Sequence, residues 1–388
     1  MSLEWLTDEL TRLQDENLLR RARCVMQSSG AWVEIDGRRL RDASSNDYLA
    51  LSGHPAVRKA AIEAIEQWGV GARASPLVSG FGPVHAELET ELAAFKETEA
   101  ALLFPTGFAA NVGTLAALCR PGDIVYCDRL NHASLVDGCR HSGATLRVYR
   151  HDQLERLEKS LSREASKGRR YIATDAVFSM DGDLAPLPEL CQLAERFDAT
   201  LIVDEAHGTG VFGGTGRGAC EHFQVGDRVP VRIGTLSKAL GSLGGFVAGE
   251  RRLIEFLRNH ARTQMYSTAL PAANCAAALA SLRLLRDDPS LPLKLQALSQ
   301  RFRDRLEELG VSPATGSTGP IVPIVVGDPD RTLAAAGRID EVGWLVGAIR
   351  PPTVPRGTSR LRISLSLHLS HSDVDELAEA VAAAIKSP

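Results

Sequence analysis

The chain has 388 residues, 44% hydrophobic and 24% charged, with a formal net charge of −4. Such a composition is that of an ordinary globular protein long enough for a large domain and a smaller one. The interspersed charges exclude the basic stripe of a nucleic-acid binder and the polybasic run of a membrane-surface protein, so neither nucleic acid nor membrane is expected as a partner. Seven scattered cysteines without a C-x-x-C pair argue for reduced thiols and against a zinc site, and no metal is expected. The stretch from Met1 to Trp5 carries an acidic residue and no apolar core of a signal peptide, and no run reaches the ~18 apolar residues of a membrane span. A cytoplasmic protein is the expectation.

In chain order, an amphipathic helix opens the sequence. A short hairpin follows, with Ala31–Ile35 and Arg39–Asp42 flanking an Asp36-Gly37 turn. Short apolar runs then alternate with helical patterns. The clearest strands are Ala100–Phe104, Asp123–Tyr126, Thr145–Tyr149, Tyr171–Thr174 and Thr200–Val203, and helices are expected over Gln153–Leu161 and Leu187–Phe197. This alternation predicts an α/β fold, a mainly parallel sheet sandwiched by helices. After the polar break Arg286–Pro289 come a helical segment near 290–310, a strand over Ile321–Val326, a loop over Ile349–Pro355, a strand over Arg360–Leu367 and a helix from about Asp373. The expected organisation is an N-terminal arm (1–45), a large domain (46–285) and a small α+β C-terminal domain (286–388).

In open sheets ligands gather where strands end. The strand Thr200–Val203 runs into Asp204-Glu205-Ala206-His207-Gly208-Thr209-Gly210. A helicase-type box would need a phosphate loop ending in Gly-Lys, and the chain contains no such dipeptide. Gly208–Gly213 fits G-x-G-x-x-G, but the glycines continue through Gly218 where the dinucleotide fingerprint requires a helix. A nicotinamide oxidoreductase is therefore the remote alternative. Downstream, Lys238 stands among hydroxyls and glycines in Gly234–Gly245. Glycine serves close backbone approach, and a lysine with a depressed pKa is a competent amine nucleophile and base. Asp204, His207 and Lys238 together meet the demand of an aldehyde cofactor used as an electron sink, in which an aspartate keeps a pyridine nitrogen protonated.

Those residues, with Ser44–Leu49, Leu77–Gly80, Thr106–Asn111, Asn131–Ser134, Val177–Asp183 and Ile349–Pro355, carry a resemblance to the α-oxoamine synthases over nearly the whole chain. The resemblance implies a fold-type I transferase dependent on pyridoxal 5′-phosphate, the large domain binding the cofactor. It implies that Lys238 carries the cofactor as a Schiff base, that Asp204 pairs with the pyridine nitrogen, and that His207 and Ser179 contact the phenolic oxygen. His132 would stack on the ring and reach substrate. Gly107 and Phe108, at a helix start suited to an anion, would hold the phosphate with Thr235. The segment around Thr268 would complete that site from a neighbouring subunit, implying a homodimer with shared active sites. Arg360 and Arg362 share a strand face, so pattern alone does not choose between them; the resemblance selects Arg362 for the amino-acid carboxylate. Arg20, Asn46 and Thr353 are the remaining expected substrate contacts. The implied reaction is decarboxylative condensation of an amino acid with an acyl-CoA thioester. The 349–355 loop resembles the form that uses L-alanine and a pimeloyl thioester, on CoA or a carrier protein, in biotin biosynthesis. The sister activities use glycine with acetyl-CoA or succinyl-CoA. One departure is Pro76, where many relatives have arginine or another residue.

Overall fold

The computed structural model describes residues 3–163 and 168–386; Met1 and Ser2 of the N-terminal stretch lie outside them. The chain divides into two compact units. One comprises Met1–Asn46, Met180–Gly182 and Leu295–Pro388, the other Asp47–Ser179 and Asp183–Lys294.

In the first unit the N-terminal helix Trp5–Asp15 is followed by β1 (Val25–Ser29), β2 (Trp32–Ile35) and β3 (Arg38–Asp42). β2 and β3 pair antiparallel across Asp36 and Gly37, which take φ of 53° and 74°. Two consecutive positive φ values are what a tight two-residue hairpin turn demands, and Asp-Gly meets the demand at low cost. β1 was not anticipated; its burial pattern is exposed throughout, and pairing with β2 rather than apolar periodicity holds it.

The second unit is built on a seven-stranded sheet. Its strands are β4 (Ala100–Phe104), β5 (Ile124–Asp128), β6 (Thr145–Tyr149), β7 (Arg170–Asp175), β8 (Ala199–Asp204), β9 (Val231–Thr235) and β10 (Gly245–Gly249). The order is β4-β10-β9-β8-β7-β5-β6, and only β10 runs antiparallel to its neighbours. The central strands read as unbroken apolar runs because both faces are covered. Leu102, Val125, Ala173 and Ile202 pack with Leu115, Leu135 and Leu257 of flanking helices in one core.

Five of the strands were expected; β9 and β10 were not. β10 begins and ends in glycine, a residue that weakens strand propensity. The reason lies in its neighbours. A Cβ on Gly245 would stand 2.4 Å from Thr106 O and 2.7 Å from Gly107 N. The strand accepts glycine so that the start of a helix can approach it.

The C-terminal part of the first unit adds β11 (Ile321–Gly327), β12 (Trp344–Leu345), β13 (Gly347–Ile349) and β14 (Ser359–Ser364). β12 joins β3 in parallel, and β14 lies between β11 and β13. β14 ends at Ser364 rather than Leu367, because the Leu365 N–H turns to Pro320 O. The helix Leu291–Glu308 contributes Leu298, Phe302 and Leu306 to a core with Leu361, Ile363 and Leu377. The last helix begins at His371, two residues ahead of the expected Asp373, whose carboxylate accepts from Ser370 N–H and caps the turn. Among the described residues no helix is long and apolar enough to cross a membrane, no group of three His, Cys, Asp or Glu could hold a metal, and all seven cysteines are free.

Candidate active site

Because β10 is antiparallel to both β4 and β9, the strand β4 runs in the same sense as β9, β8, β7 and β5. Their carboxyl ends therefore share one edge of the sheet. The loops leaving that edge carry Gly107, His132, Ser179, His207 and Lys238.

The helix Gly107–Leu118 follows β4, capped by Thr106, whose hydroxyl accepts from Ala109 N–H at 3.0 Å. The N–H groups of a helix's first turn have no intrahelical acceptor and sit at the positive end of its dipole. Gly107 approaches Thr235 so closely that an added Cβ would lie 3.3 Å from its Cβ and Oγ1. Thr235 Oγ1 lies 2.7 Å from Ser237 Oγ and donates to Gly244 O at 2.9 Å. These contacts shape the turn from β9 to β10, which bears the half-buried Lys238.

Asp204 closes β8 and is 5% exposed. Its Oδ2 accepts from Asn111 Nδ2 at 2.6 Å and its Oδ1 from Ala206 N–H at 2.8 Å. The second proton of that Asn111 amide goes to Ser134 Oγ at 2.8 Å, and Ser134 Oγ lies 2.6 Å from His132 Nδ1. Since Ser134 accepts from Asn111, its hydroxyl proton is available to His132, which also accepts from Ser134 N–H. The chain of donors makes Nδ1 the acceptor and leaves the proton of a neutral imidazole on Nε2. Burial holds His132 below the ordinary histidine range, Asp204 opposes and Lys238 adds to the depression. His207 Nδ1 is 2.7 Å from the hydroxyl of the fully buried Tyr48.

A second carboxylate ends the neighbouring strand. Asp175 is opposite Asp204 in the β7–β8 register, and its Oδ2 accepts from the His132 N–H at 2.6 Å. Burial, with the Asp204 charge adding, pushes Asp175 well above the usual carboxylate range. Asp175, Asn111, Ser134 and Tyr48 were not among the expected site residues. Asp175 had a signal, an acid at a strand's open end as in Asp204; Asn111, Ser134 and Tyr48 lie within the motifs that carry the resemblance, but only contacts show what they hold.

The glycine run after His207 has a packing origin. Glu205, fully buried, accepts from Ala219 and Cys220 N–H at 2.9 and 2.8 Å, and a Cβ on Gly208 or Gly218 would come within 2.2 or 2.1 Å of its Oε2. Lys96, 1% exposed, donates to Thr209 Oγ1 at 2.7 Å and to Arg217 O beneath the same loop. No helix starts within 208–213, so the dinucleotide fingerprint has no structural counterpart.

In the first unit, Arg362 Nη2 donates to Asn46 Oδ1 and its Nη1 to Ser364 Oγ, both at 3.2 Å. Arg20 Nη2 reaches Thr353 Oγ1 at 3.0 Å. The four expected substrate contacts of this unit thus lie in two hydrogen-bonded pairs. Arg360 is instead engaged by Asp181 Oδ1 at 2.5 Å and Met180 O at 3.0 Å. Thr268 is exposed on the segment before the helix Ala272–Asp287, and no hydrogen bond among the described residues joins it to the sheet edge.

A family model described as aminotransferase class I and II matches residues 42–381. A protein of Anaeromyxobacter dehalogenans named 8-amino-7-oxononanoate synthase is 48% identical over 384 residues, covering 99% of this chain and 96% of that one. One of the same name from Geobacter sulfurreducens is 46% identical, with 97% of each chain covered. Among solved structures, serine palmitoyltransferase from S. paucimobilis with bound PLP–myriocin aldimine superposes with a TM-score of 0.94 at 29% identity, over 99% of this chain and 98% of that one. The 8-amino-7-oxononanoate synthase of Francisella tularensis gives 0.77 at 28%, over 89% and 98%.

Proposed function

The chain belongs to the aminotransferase class I and II family, and on that premise we propose that it is a pyridoxal-phosphate-dependent 8-amino-7-oxononanoate synthase. It joins L-alanine to the pimeloyl group of a CoA or carrier-protein thioester, releasing the thiol and carbon dioxide. The observation that carries the cofactor reading is one sheet edge bearing an oriented carboxylate, an amine in a glycine-rich turn and a helix N-terminus. The substrate reading rests on relatives of that name along nearly the full chain.

The residues present fit the cofactor. Gly107 and Phe108 offer N–H donors to a phosphate, and the Thr235 hydroxyl would add one by turning its proton from Gly244 O; the close approach of Gly107 to Thr235 forms a cradle that a side chain would fill. Asp204 offers an acceptor to a protonated ring nitrogen, and His207 and Ser179 offer partners to a phenolic oxygen. His132 offers a neutral face for stacking. Bound there, pyridoxal phosphate supplies an electron sink for negative charge developing beside the amino-acid nitrogen.

The chain's own residues do the rest. Lys238 would hold the cofactor, and its Nζ would take the Cα proton of alanine and later return one. Asp204, oriented by Asn111, would accept from the ring nitrogen of the bound cofactor. His132 presents Nε2–H toward substrate. Arg362, braced by Asn46, receives the alanine carboxylate, for which the guanidinium fork is suited. Arg20 and Thr353 act together toward the acyl donor. Thr268 serves the phosphate of a partner subunit in a homodimer, and the enzyme works in the cytoplasm.

Thiol release in paired assays tests the reading. Alanine with pimeloyl thioester is expected to outpace glycine with acetyl-CoA by a wide margin. The reverse ranking would sink the substrate proposal while leaving the cofactor intact. Absence of a visible band near about 420 nm in the reconstituted protein would sink the cofactor reading itself.

A further inference from the structure

On the second unit, His151 gathers two carboxylates around its ring. His151 follows β6, and its ring stands between two carboxylates, with Nδ1 3.2 Å from Asp128 Oδ2 and Nε2 3.0 Å from Asp183 Oδ2. A neutral imidazole has one N–H and serves one of two such acceptors; a hydrogen bond at each nitrogen requires the doubly protonated ring. Burial opposes that charge, but the hydrogen bonds to Asp128 and Asp183 outweigh it and raise the His151 pKa from 6.5 to about 10. Asp152 and Arg150, next in the chain, are paired with each other at 2.6 Å.

The same ring stacks on Phe178, with centroids 4.2 Å apart and planes 19° from parallel. Phe178 N–H donates to Asp183 O at 3.0 Å, and Val177 bridges Leu184. Residues 177–184 therefore leave and re-enter at one point, and Ser179 sits at the first bend. His151 holds both limbs: its face covers Phe178, and its Nε2 takes Asp183. Its other nitrogen anchors the loop to Asp128 at the end of β5, whose side chain is fully covered and whose Oδ1 also accepts from Leu130 N–H.

We infer that His151 is a positioning residue, an imidazolium clamp that ties the 178–183 loop to the end of β5 and so sets Ser179 toward the cofactor site. The inference rests on the reading of Ser179 as a contact of the cofactor's phenolic oxygen. The clamp acts through Phe178 and Asp183 and touches no reacting atom.

The test uses reconstituted holoenzyme and follows the pH midpoint of the cofactor's visible band in wild type, S179A, H151Q, D183N and the double variant H151Q/S179A. S179A is expected to move the midpoint. H151Q and D183N are expected to move it in the same direction by about half a pH unit or more. The double variant is expected to match S179A alone, because the clamp has nothing left to position. D183N removes only the loop-side partner and gives the answer where H151Q folds poorly. The inference is overturned if S179A moves the midpoint while H151Q and D183N leave it in place, or if the H151Q and S179A shifts simply add. A midpoint unmoved in S179A overturns the Ser179 contact, and the inference falls with it. That result differs from the first two.

Discussion

At the carboxyl edge of the seven-stranded sheet, Asp204 is held by neutral donors, the Asn111 amide and the Ala206 N–H. On β14 of the other unit, Arg360 is held by an opposite charge, Asp181, with the arginine side chain 5% exposed. Both groups are buried, charged and oriented, yet they are built for different ends. A neutral brace fixes direction and leaves the charge for a ligand, whereas an ion pair consumes the charge internally to offset its desolvation. Two residues along the same strand, Arg362 donates to Asn46 and Ser364, so β14 carries the Asp204 style of support beside the ion-paired one.

The hardest blow to this contrast falls on the amine that the neutral network serves. Lys238→Ala is expected to abolish the visible band and to lower turnover by about a thousandfold or more, read by spectroscopy and thiol release. Asp204→Asn keeps the shape and removes the charge, and kcat should fall by about a hundredfold or more. Retained kcat would mean that the braced carboxylate is structural after all.

The two arginines separate the styles on one strand. Arg362→Gln should raise the KM for alanine by about tenfold or more, the scale of a lost charge-assisted hydrogen bond, with little loss of stability. Arg360→Gln should do the opposite, costing about 1–2 kcal/mol in denaturant unfolding through the lost charged hydrogen bonds to the part-exposed Asp181 and to Met180 O, with KM nearly unchanged. Exchanged outcomes would reverse the assignment of the pair. A smaller effect is expected at β10, where Gly245→Ala forces a methyl against Thr106 O. Stability should drop by about 1–3 kcal/mol, and cofactor affinity should weaken because the start of the Gly107 helix must shift.

The smallest effect concerns pH. His151 has its pKa raised by folding, so its stabilisation is fully present below about 6.5 and is lost as pH rises through about 10. Wild type should thus exceed H151Q in melting temperature at neutral pH, and the gap should close toward pH 10. A gap that persists there would show that stacking on Phe178, not charge, is the larger contribution.

The legibility of this molecule follows the range of the forces involved. Five strands of the seven-stranded sheet and several helices were readable because apolar runs and their spacing are local properties, and the Asp36-Gly37 hairpin because its φ values belong to two residues. Asp204, His207 and Lys238 stood out through residue type next to strand ends. β9 and β10 were missed, since Gly245 answers to Thr106 across the sheet and not to its own neighbours in sequence.

The sequence by itself determined the strand-and-helix alternation, the chemical groups at the strand ends and the likeness to a cofactor-using family. Only the tertiary structure decided how those groups are held. Asn111 reaches Asp204 across 93 positions, Asp175 takes the His132 N–H across 43, and Arg360 and Arg362 part company over Asp181 and Asn46. Hydrogen bonds and ion pairs act over about 3 Å, and which groups come that close is set by sheet register and loop closure. No local pattern encodes that proximity.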